Sequence, residues 1–367
     1  MRIIVVGAGV FGASTAWHLA RDGAEVVIVD AAHEGRATAA GAGIVSPWSS
    51  RVEDPDFYRL SAGGGRYYPQ LLGQLAEDGE TDTGFRRVGA LSVTADAAQL
   101  ASTEKIIRGR LAAAPEAGEV SVLSPETARE LFPPLREDLA AVHVSGGARV
   151  DGRKLAAALL RGAVKHGAVR REGLARLATA GERVTGVRLD GETIAADAVV
   201  VAAGAWAPPL LQPVGVRLDV EPQRGQIVHL RLPGVETGRW PVVLPLSDHY
   251  LLTFDDERVV VGATRETGSG FDYRVTAAGQ AKVLRDALSI APGLGTATII
   301  ETRIGFRPMA GGAKPILGLV PQRPGLAVGN GLGASGLTIG PYAGRLLAQL
   351  VLRGHAEIDV SPYRLTG

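Results

Sequence analysis

Glycines at positions 7, 9 and 12 form a G-x-G-x-x-G run, and an aspartate stands at position 30. The spacing suits a dinucleotide. Gly7 permits a tight turn, Gly9 lets the backbone reach a pyrophosphate, and Gly12 lets the following helix pack close to the preceding strand. The start of that helix offers free N–H groups and a partial positive charge, while Asp30 would accept hydrogen bonds from ribose hydroxyls. Further small-residue loops occur at 38–43 (TAAGAG), 202–206 (AAGAW) and 329–336 (GNGLGASG). A flavin dinucleotide needs such close backbone approaches along its whole length, so four loops together favour FAD. The last loop opens a helix whose N–H groups would face the flavin pyrimidine ring, where negative charge develops on reduction.

The elements that must position these loops follow from the apolar pattern. Residues 3–6 and 25–29 read as strands buried on both faces, with a helix over 14–21 between them. Together they make a βαβ unit. Residues 31–50 have no period. Helical patterns follow from Pro55, over 96–114, from Ser124 as N-cap to Leu131, over 151–165, 280–288 and 337–352. Strand patterns occupy 89–94, 197–203, 220–232, 242–244, 250–254, 259–263, 298–307 and 326–328. Residues 168–177, 183–189 and 191–194 read as three antiparallel strands, with Asp190-Gly191 as a hairpin turn. The fold class expected is α/β (α+β overall): a Rossmann-like domain with a mixed-sheet substrate domain, discontinuous in sequence. Segments 1–55, 140–215 and 300–367 form the first, and 56–139 and 216–299 the second.

Composition removes other classes. The 367 residues include 49 Gly, no Cys and 46% hydrophobic residues, with a net charge of +1. A chain of this length averages about 26 glycines at roughly 7%, yet neither a collagen-like period nor the polar, charged composition of disorder is present. The absence of Cys excludes disulfides, thiolate metal sites, cysteine nucleophiles and a cofactor bound through sulfur. No metal-ligand spacing is seen among the seven His. The charge balance gives no footprint for nucleic acid. No stretch reads as a signal peptide or a membrane span, so a cytoplasmic enzyme is expected.

In order and spacing, these pieces resemble the FAD-dependent amino-acid and amine oxidoreductases related to D-amino-acid oxidase, glycine oxidase and sarcosine oxidase. The resemblance runs over IIVVGAGVFGASTAWHLARDGAEVVIVD, ATAAGAGIVSP, VGALSV, DAVVVAAGAWAPPL, PQRGQIVHL, YLLTFDDERVVVGATRETGSGFD, GFRPMAGGAKPILG and GLGASGLTIGPYAG. It implies non-covalent FAD, hydride transfer from the C–N carbon of an amino acid or secondary amine to flavin N5, and an imine that water hydrolyses. Oxygen or a quinone-type carrier would accept the electrons, and a homo-oligomer is compatible with it. An NAD(P)-dependent dehydrogenase is the alternative on the first motif alone. A non-catalytic dinucleotide-binding subunit of a flavoprotein complex is another.

Carried onto this chain, the resemblance assigns Gly7, Gly9, Gly12 and Asp30 to the ADP half of FAD. Ala39, Ala40 and Gly41 match the loop beside the flavin, Gly204 and Trp206 the next strand end, and Gly331, Gly333, Ser335, Gly336 and Thr338 the C-terminal flavin loop. Arg307, before Pro308, matches the arginine that binds the substrate carboxylate, and a guanidinium suits that task through two parallel hydrogen bonds. Tyr250 falls near the active-site tyrosines. His249, its neighbour, is expected at the surface because adjacent strand residues face opposite sides. Trp48 and Arg224 are lesser pocket candidates, and Lys314 is expected as a solvated loop lysine. The chain departs from the family twice. Gly311, Gly312 and Ala313 stand where an Asp is usual, and Leu332 stands where a His is common. Both changes remove polar groups and turn the expectation toward a larger or more apolar amine.

Overall fold

The computed structural model describes residues 1–312 and 314–365, so Ala313 of the Gly311–Ala313 stretch lies outside the described residues. Its first layer is a six-stranded sheet in the spatial order Ile316–Leu319, Leu326–Asn330, Ala198–Val201, Arg2–Val6, Glu25–Asp30 and Val169–Glu172. All neighbours are parallel except the first pair. The apolar runs explain why. Ile3 and Val5 point to one face, Ile4 and Val6 to the other, and both faces are covered. Each such Ile or Val stabilises the layer by roughly 1.5–3 kcal/mol.

One face carries the helices Val10–Arg21, Gly152–Lys165, Gly336–Arg353 and Pro55–Glu77. Val10–Arg21 is buried along almost its whole length because its neighbours come close. A Cβ at Gly344 would stand 2.7 Å from the Cβ of Ser14, whose hydroxyl donates to the Pro341 carbonyl at 2.7 Å. The opposite face is covered by a three-stranded antiparallel sheet, Arg176–Ala180, Arg183–Leu189 and Glu192–Ala195, and by residues 207–220.

The second layer is an eight-stranded mixed sheet in the order Thr298–Ala310, Val220–Arg231, Arg258–Gly262, Tyr250–Thr253, Val242–Pro245, Ala90–Thr94, Ala140–Val144 and Val120–Leu123. Helix Ala277–Ile290 packs on one face through Val283 and Ala287. The other face, with Ile227, Leu252 and Tyr250, looks toward the first layer.

Several expected boundaries move. Helix Pro55–Glu77, placed with the substrate segments, packs into the core of the six-stranded layer through Leu60, Tyr68, Leu71 and Leu75. Strands Ala140–Val144 and Thr298–Ala310, placed with the dinucleotide segments, belong to the eight-stranded sheet. The strand expected over 168–177 is two strands in two sheets. Val169–Glu172 pairs in parallel with Glu25–Asp30, and the chain leaves at Gly173, φ 144°, to begin Arg176–Ala180. The unpatterned 31–50 region contains a short helix, Ala37–Ala40. The capping expectation at Ser124 matches the structure, where its side chain accepts from Thr127 N at 3.3 Å.

Candidate active site

The βα turn is built by two glycines with separate reasons. Gly7 has φ 108°, and a Cβ there would run into the Ala202 carbonyl. Gly12 sits against the Gly7 carbonyl, so any side chain would push the helix off the strand. Gly9 caps the helix with no side-chain hydrogen bond of its own. The Val10 N–H is met by Thr38 Oγ1 at 2.9 Å, from the second small-residue loop. The Asp30 carboxylate closes this end. It accepts from Ala8 N at 2.6 Å and Ala32 N at 2.8 Å, has Arg36 Nη1 at 3.4 Å, and lines the cleft.

From Asp30 a single cleft of about 440 Å³ runs between the layers to Arg307. It is within the size range of small-molecule and cofactor sites. Gly7, Gly9, Asp30, Ala40, Gly41, Gly204, Trp206, Gly333, Ser335, Gly336 and Thr338 line it, as do Tyr250 and Arg307. Three expected residues stand behind the wall. Gly12 packs the helix, and Ala39 turns its carbonyl to Arg153 Nε at 2.9 Å. Gly331, φ 70°, shapes the C-terminal loop, its N–H donating to Asn330 Oδ1 at 2.7 Å. The loops are tied to one another. Asn330 Nδ2 donates to the Gly204 carbonyl at 2.9 Å, and Thr338 Oγ1 to the Ile44 carbonyl at 2.9 Å. Trp206 stacks between His33 and Phe271, with ring centroids 4.7 and 4.9 Å away.

Arg307 lies inside the edge strand Thr298–Ala310, not at its end. It pairs with Gln223, and Pro308 pairs with Pro222. Proline is tolerated there because the strand is the sheet's outermost. The Arg307 guanidinium donates to the Thr264 carbonyl at 3.1 Å and to Gln223 Oε1 at 3.5 Å. Among the described residues no carboxylate comes within ion-pair distance of it. Burial pushes its pKa down, with Arg265 adding repulsion, while Tyr250 opposes the shift through its charge and a hydrogen bond. Burial likewise raises the Tyr250 hydroxyl, with Arg307 pulling the other way. This is a desolvated cation with a phenol at its side, an arrangement that an anionic ligand would relieve.

The lesser candidates divide. His249 is buried, not at the surface: it lines the cleft, and its ring lies nearly parallel to that of Tyr250 with centroids 6.3 Å apart. It directly precedes the strand that starts at Tyr250, so strand alternation does not bind it. Trp48 packs with Ile107 and Val142 instead of lining the cleft. Arg224 is spent on Glu266 at 2.5 Å and Asp272 at 2.8 Å. Lys314 pairs with Asp54 and Asp56. Leu332 is buried on the cleft wall. Sequence reasoning missed Arg51, Ser247, Arg265 and Thr38, all on the wall. Of these, Thr38 stands in the 38–43 loop and Arg265 in the 250–272 stretch that carries the resemblance, neither with a role assigned.

The family model for FAD dependent oxidoreductases matches residues 2–350. The chain belongs to this family. The structure of iminodiacetate oxidase from Chelativorans sp. BNC1 superposes with a TM-score of 0.97 at 55% identity, covering 100% of this chain and 99% of that one. Glycine oxidase from Geobacillus kaustophilus gives a TM-score of 0.87 at 30% identity, covering 100% and 98%. The uncharacterized oxidoreductase YurR of Bacillus subtilis is 50% identical over 365 residues, 99% of this chain and 98% of the relative. The six-stranded layer is thus the Rossmann-like FAD-binding layer of an enzyme and the eight-stranded sheet its substrate layer. FAD, not NAD(P), is the cofactor of this oxidoreductase. The cleft fits it: glycines at 7 and 9 keep side chains out of the turn it passes, Asp30 stands at one end, and the opening continues to the substrate layer. Among the described residues no helix is long and apolar enough to cross a membrane.

Proposed function

We propose that this oxidoreductase oxidises the C–N bond of a small amine carrying a carboxylate, with a secondary amine of the iminodiacetate kind as first candidate and glycine as second. The observation that carries the reading is Arg307: half-buried, on the cleft wall, and bonded to neutral oxygens. Its guanidinium binds the carboxylate, and the Tyr250 hydroxyl, kept protonated by burial, donates to the same group. Arg265, also on the wall, is paired with Asp248. The amine carbon is thereby oriented toward the loops at 40–43 and 331–336. The apolar wall at Ala40, Ile44, Leu244 and Leu332 excludes water from it.

FAD, when bound, supplies the two-electron acceptor for the hydride that leaves the amine carbon. The resulting imine takes up water and separates into a carbonyl acid and an amine. The relative at 55% identity is an iminodiacetate oxidase by name, which favours the secondary amine. Gly9, Asp30, Ala40, Gly41, Gly204, Gly333, Ser335 and Gly336 are the residues we assign to FAD along the cleft, with Gly7 and Gly12 shaping the turn and Thr338 anchoring the loop. The electron acceptor is oxygen or a quinone-type carrier, told apart by peroxide release in air. Anaerobic mixing of the yellow enzyme with iminodiacetate, N-methylglycine and glycine tests the reading. Bleaching of the flavin by at least one is expected, and an unbleached flavin with all three overturns it.

A further inference from the structure

Arg51 is the second cation on the cleft wall without a carboxylate partner among the described residues. It is exposed, and its Nη1 and Nη2 donate to the carbonyls of Leu246 at 3.3 Å and Ser247 at 3.0 Å. Its own loop is fixed from behind. Arg110 donates to the carbonyls of Trp48 at 3.1 Å and Val52 at 2.9 Å, and also to that of Ser50. The side chain therefore reaches across from a braced loop to the turn that leads into Tyr250. Ser247, which it touches, is three residues before Tyr250, and Tyr250 lines the cleft together with Arg307. Two guanidiniums thus line the cleft on either side of Tyr250 in the chain, one half-buried and one exposed.

The other charges in this stretch are Asp248 and Arg265, which satisfy each other at 3.2 Å. Positive charge is left in excess on both sides of Tyr250. We propose that Arg51 determines specificity by binding a second carboxylate on the substrate, an inference that rests on the carboxylate-bearing amine proposed above. The substrate class is then a dicarboxylate amine, one acid on Arg307 and the other on Arg51. Arg51 exchanges a neutral carbonyl for a carboxylate when such a ligand enters, and the charge-assisted bond is the stronger.

The test uses two redox-inert acids with the FAD-loaded enzyme. Glutarate has the chain length of iminodiacetate, and butyrate is its monocarboxylate counterpart. Perturbation of the flavin absorption spectrum reads their binding without turnover. The unaltered enzyme is expected to bind glutarate about tenfold or more tighter than butyrate. Arg51→Gln is expected to erase that preference and leave butyrate binding unchanged, while Arg51→Lys keeps part of it. Equal weakening of both acids by Arg51→Gln would make Arg51 a loop latch and overturn the inference. So would a preference for glutarate that survives the substitution, or no preference in the unaltered enzyme that nevertheless binds butyrate. If neither acid perturbs the flavin, the carboxylate site at Arg307 fails and this inference falls with it.

Discussion

Arg307 is held by a carbonyl and not by a carboxylate: its Nη1 donates to the Thr264 oxygen at 3.1 Å. Thr264 lies just past the strand Arg258–Gly262, and Arg307 sits on the outermost strand, with Val220–Arg231 between them. The bond therefore crosses the one intervening strand and aims the guanidinium without neutralising it. Desolvation makes that charge costly. A substrate carboxylate offsets the cost, so binding energy is concentrated in one contact.

Arg307→Ala is expected to raise KM for a carboxylate-bearing amine about a hundredfold, as removal of a buried charged hydrogen-bond partner costs about 3 kcal/mol. FAD stays bound because Arg307 belongs to the substrate sheet and not to the glycine loops. Steady-state kinetics and the flavin spectrum of the purified variant check both halves. An unchanged KM would remove the carboxylate from the proposed substrate.

Tyr250→Phe probes the second group on the same anion. Burial holds the hydroxyl protonated, with its pKa above the ordinary 10.0, so it acts as a donor across the working pH range. Loss of one such donor is expected to raise KM about tenfold with kcat changed much less. A large fall in kcat at unchanged KM would instead assign Tyr250 to the proton transfer.

Two glycines of the first motif should respond differently to alanine. Gly9 has φ −65°, and a Cβ there would meet only Thr38 Oγ1 at 3.2 Å. Gly9→Ala should therefore fold, and lose FAD affinity if the backbone at Gly9 touches the pyrophosphate. Gly7, at φ 108° with the Ala202 carbonyl where a Cβ would go, leaves no such room. Gly7→Ala should lower the melting temperature of the FAD-free protein, with backbone strain alone of order 1–3 kcal/mol. Melting temperatures and FAD titrations of the two variants separate a packing role from a binding role.

The same contrast explains what the sequence could announce. The first strand-turn-helix-strand was legible because its constraints are local: buried β-branched runs, a glycine that must turn, an acid at a strand end. Helix Pro55–Glu77 was legible as a helix, but its apolar stripe does not say which layer it covers, and it joined the FAD-binding core. Residues 168–177 misled because Gly173 moves the chain from one sheet to another within an unbroken strand-like pattern. Arg307 was reached through resemblance. Arg51 and Arg265 were given no role, since an arginine on a loop looks like any solvated cation until the fold brings a cleft beside it. His249 was misplaced because alternation was applied one residue before the strand began.

Acid should destabilise the protein through buried neutral histidines. His229 is pushed from the ordinary 6.5 to about 3, chiefly by burial and then by Arg303 and Arg258, and its Nδ1 has no hydrogen-bond partner. His18 falls to about 3 and His249 to about 4, again mainly by burial. Below pH 6.5 the unfolded chain binds protons at these rings while the folded chain does not. Unfolding is therefore favoured progressively as pH falls from about 6.5 toward 3 or 4, at up to about 1.4 kcal/mol per pH unit for each histidine. His143 is lowered by burial as well, so replacing His229 with a residue that cannot titrate removes one of several contributions. The denaturation midpoint of His229→Gln between pH 7.5 and 5 should consequently fall less steeply than that of the parent, whatever its offset at pH 7.5. Parallel curves would mean that His229 takes up its proton in the folded protein, with Glu301, 3.9 Å from its Nδ1, as the group able to stabilise it.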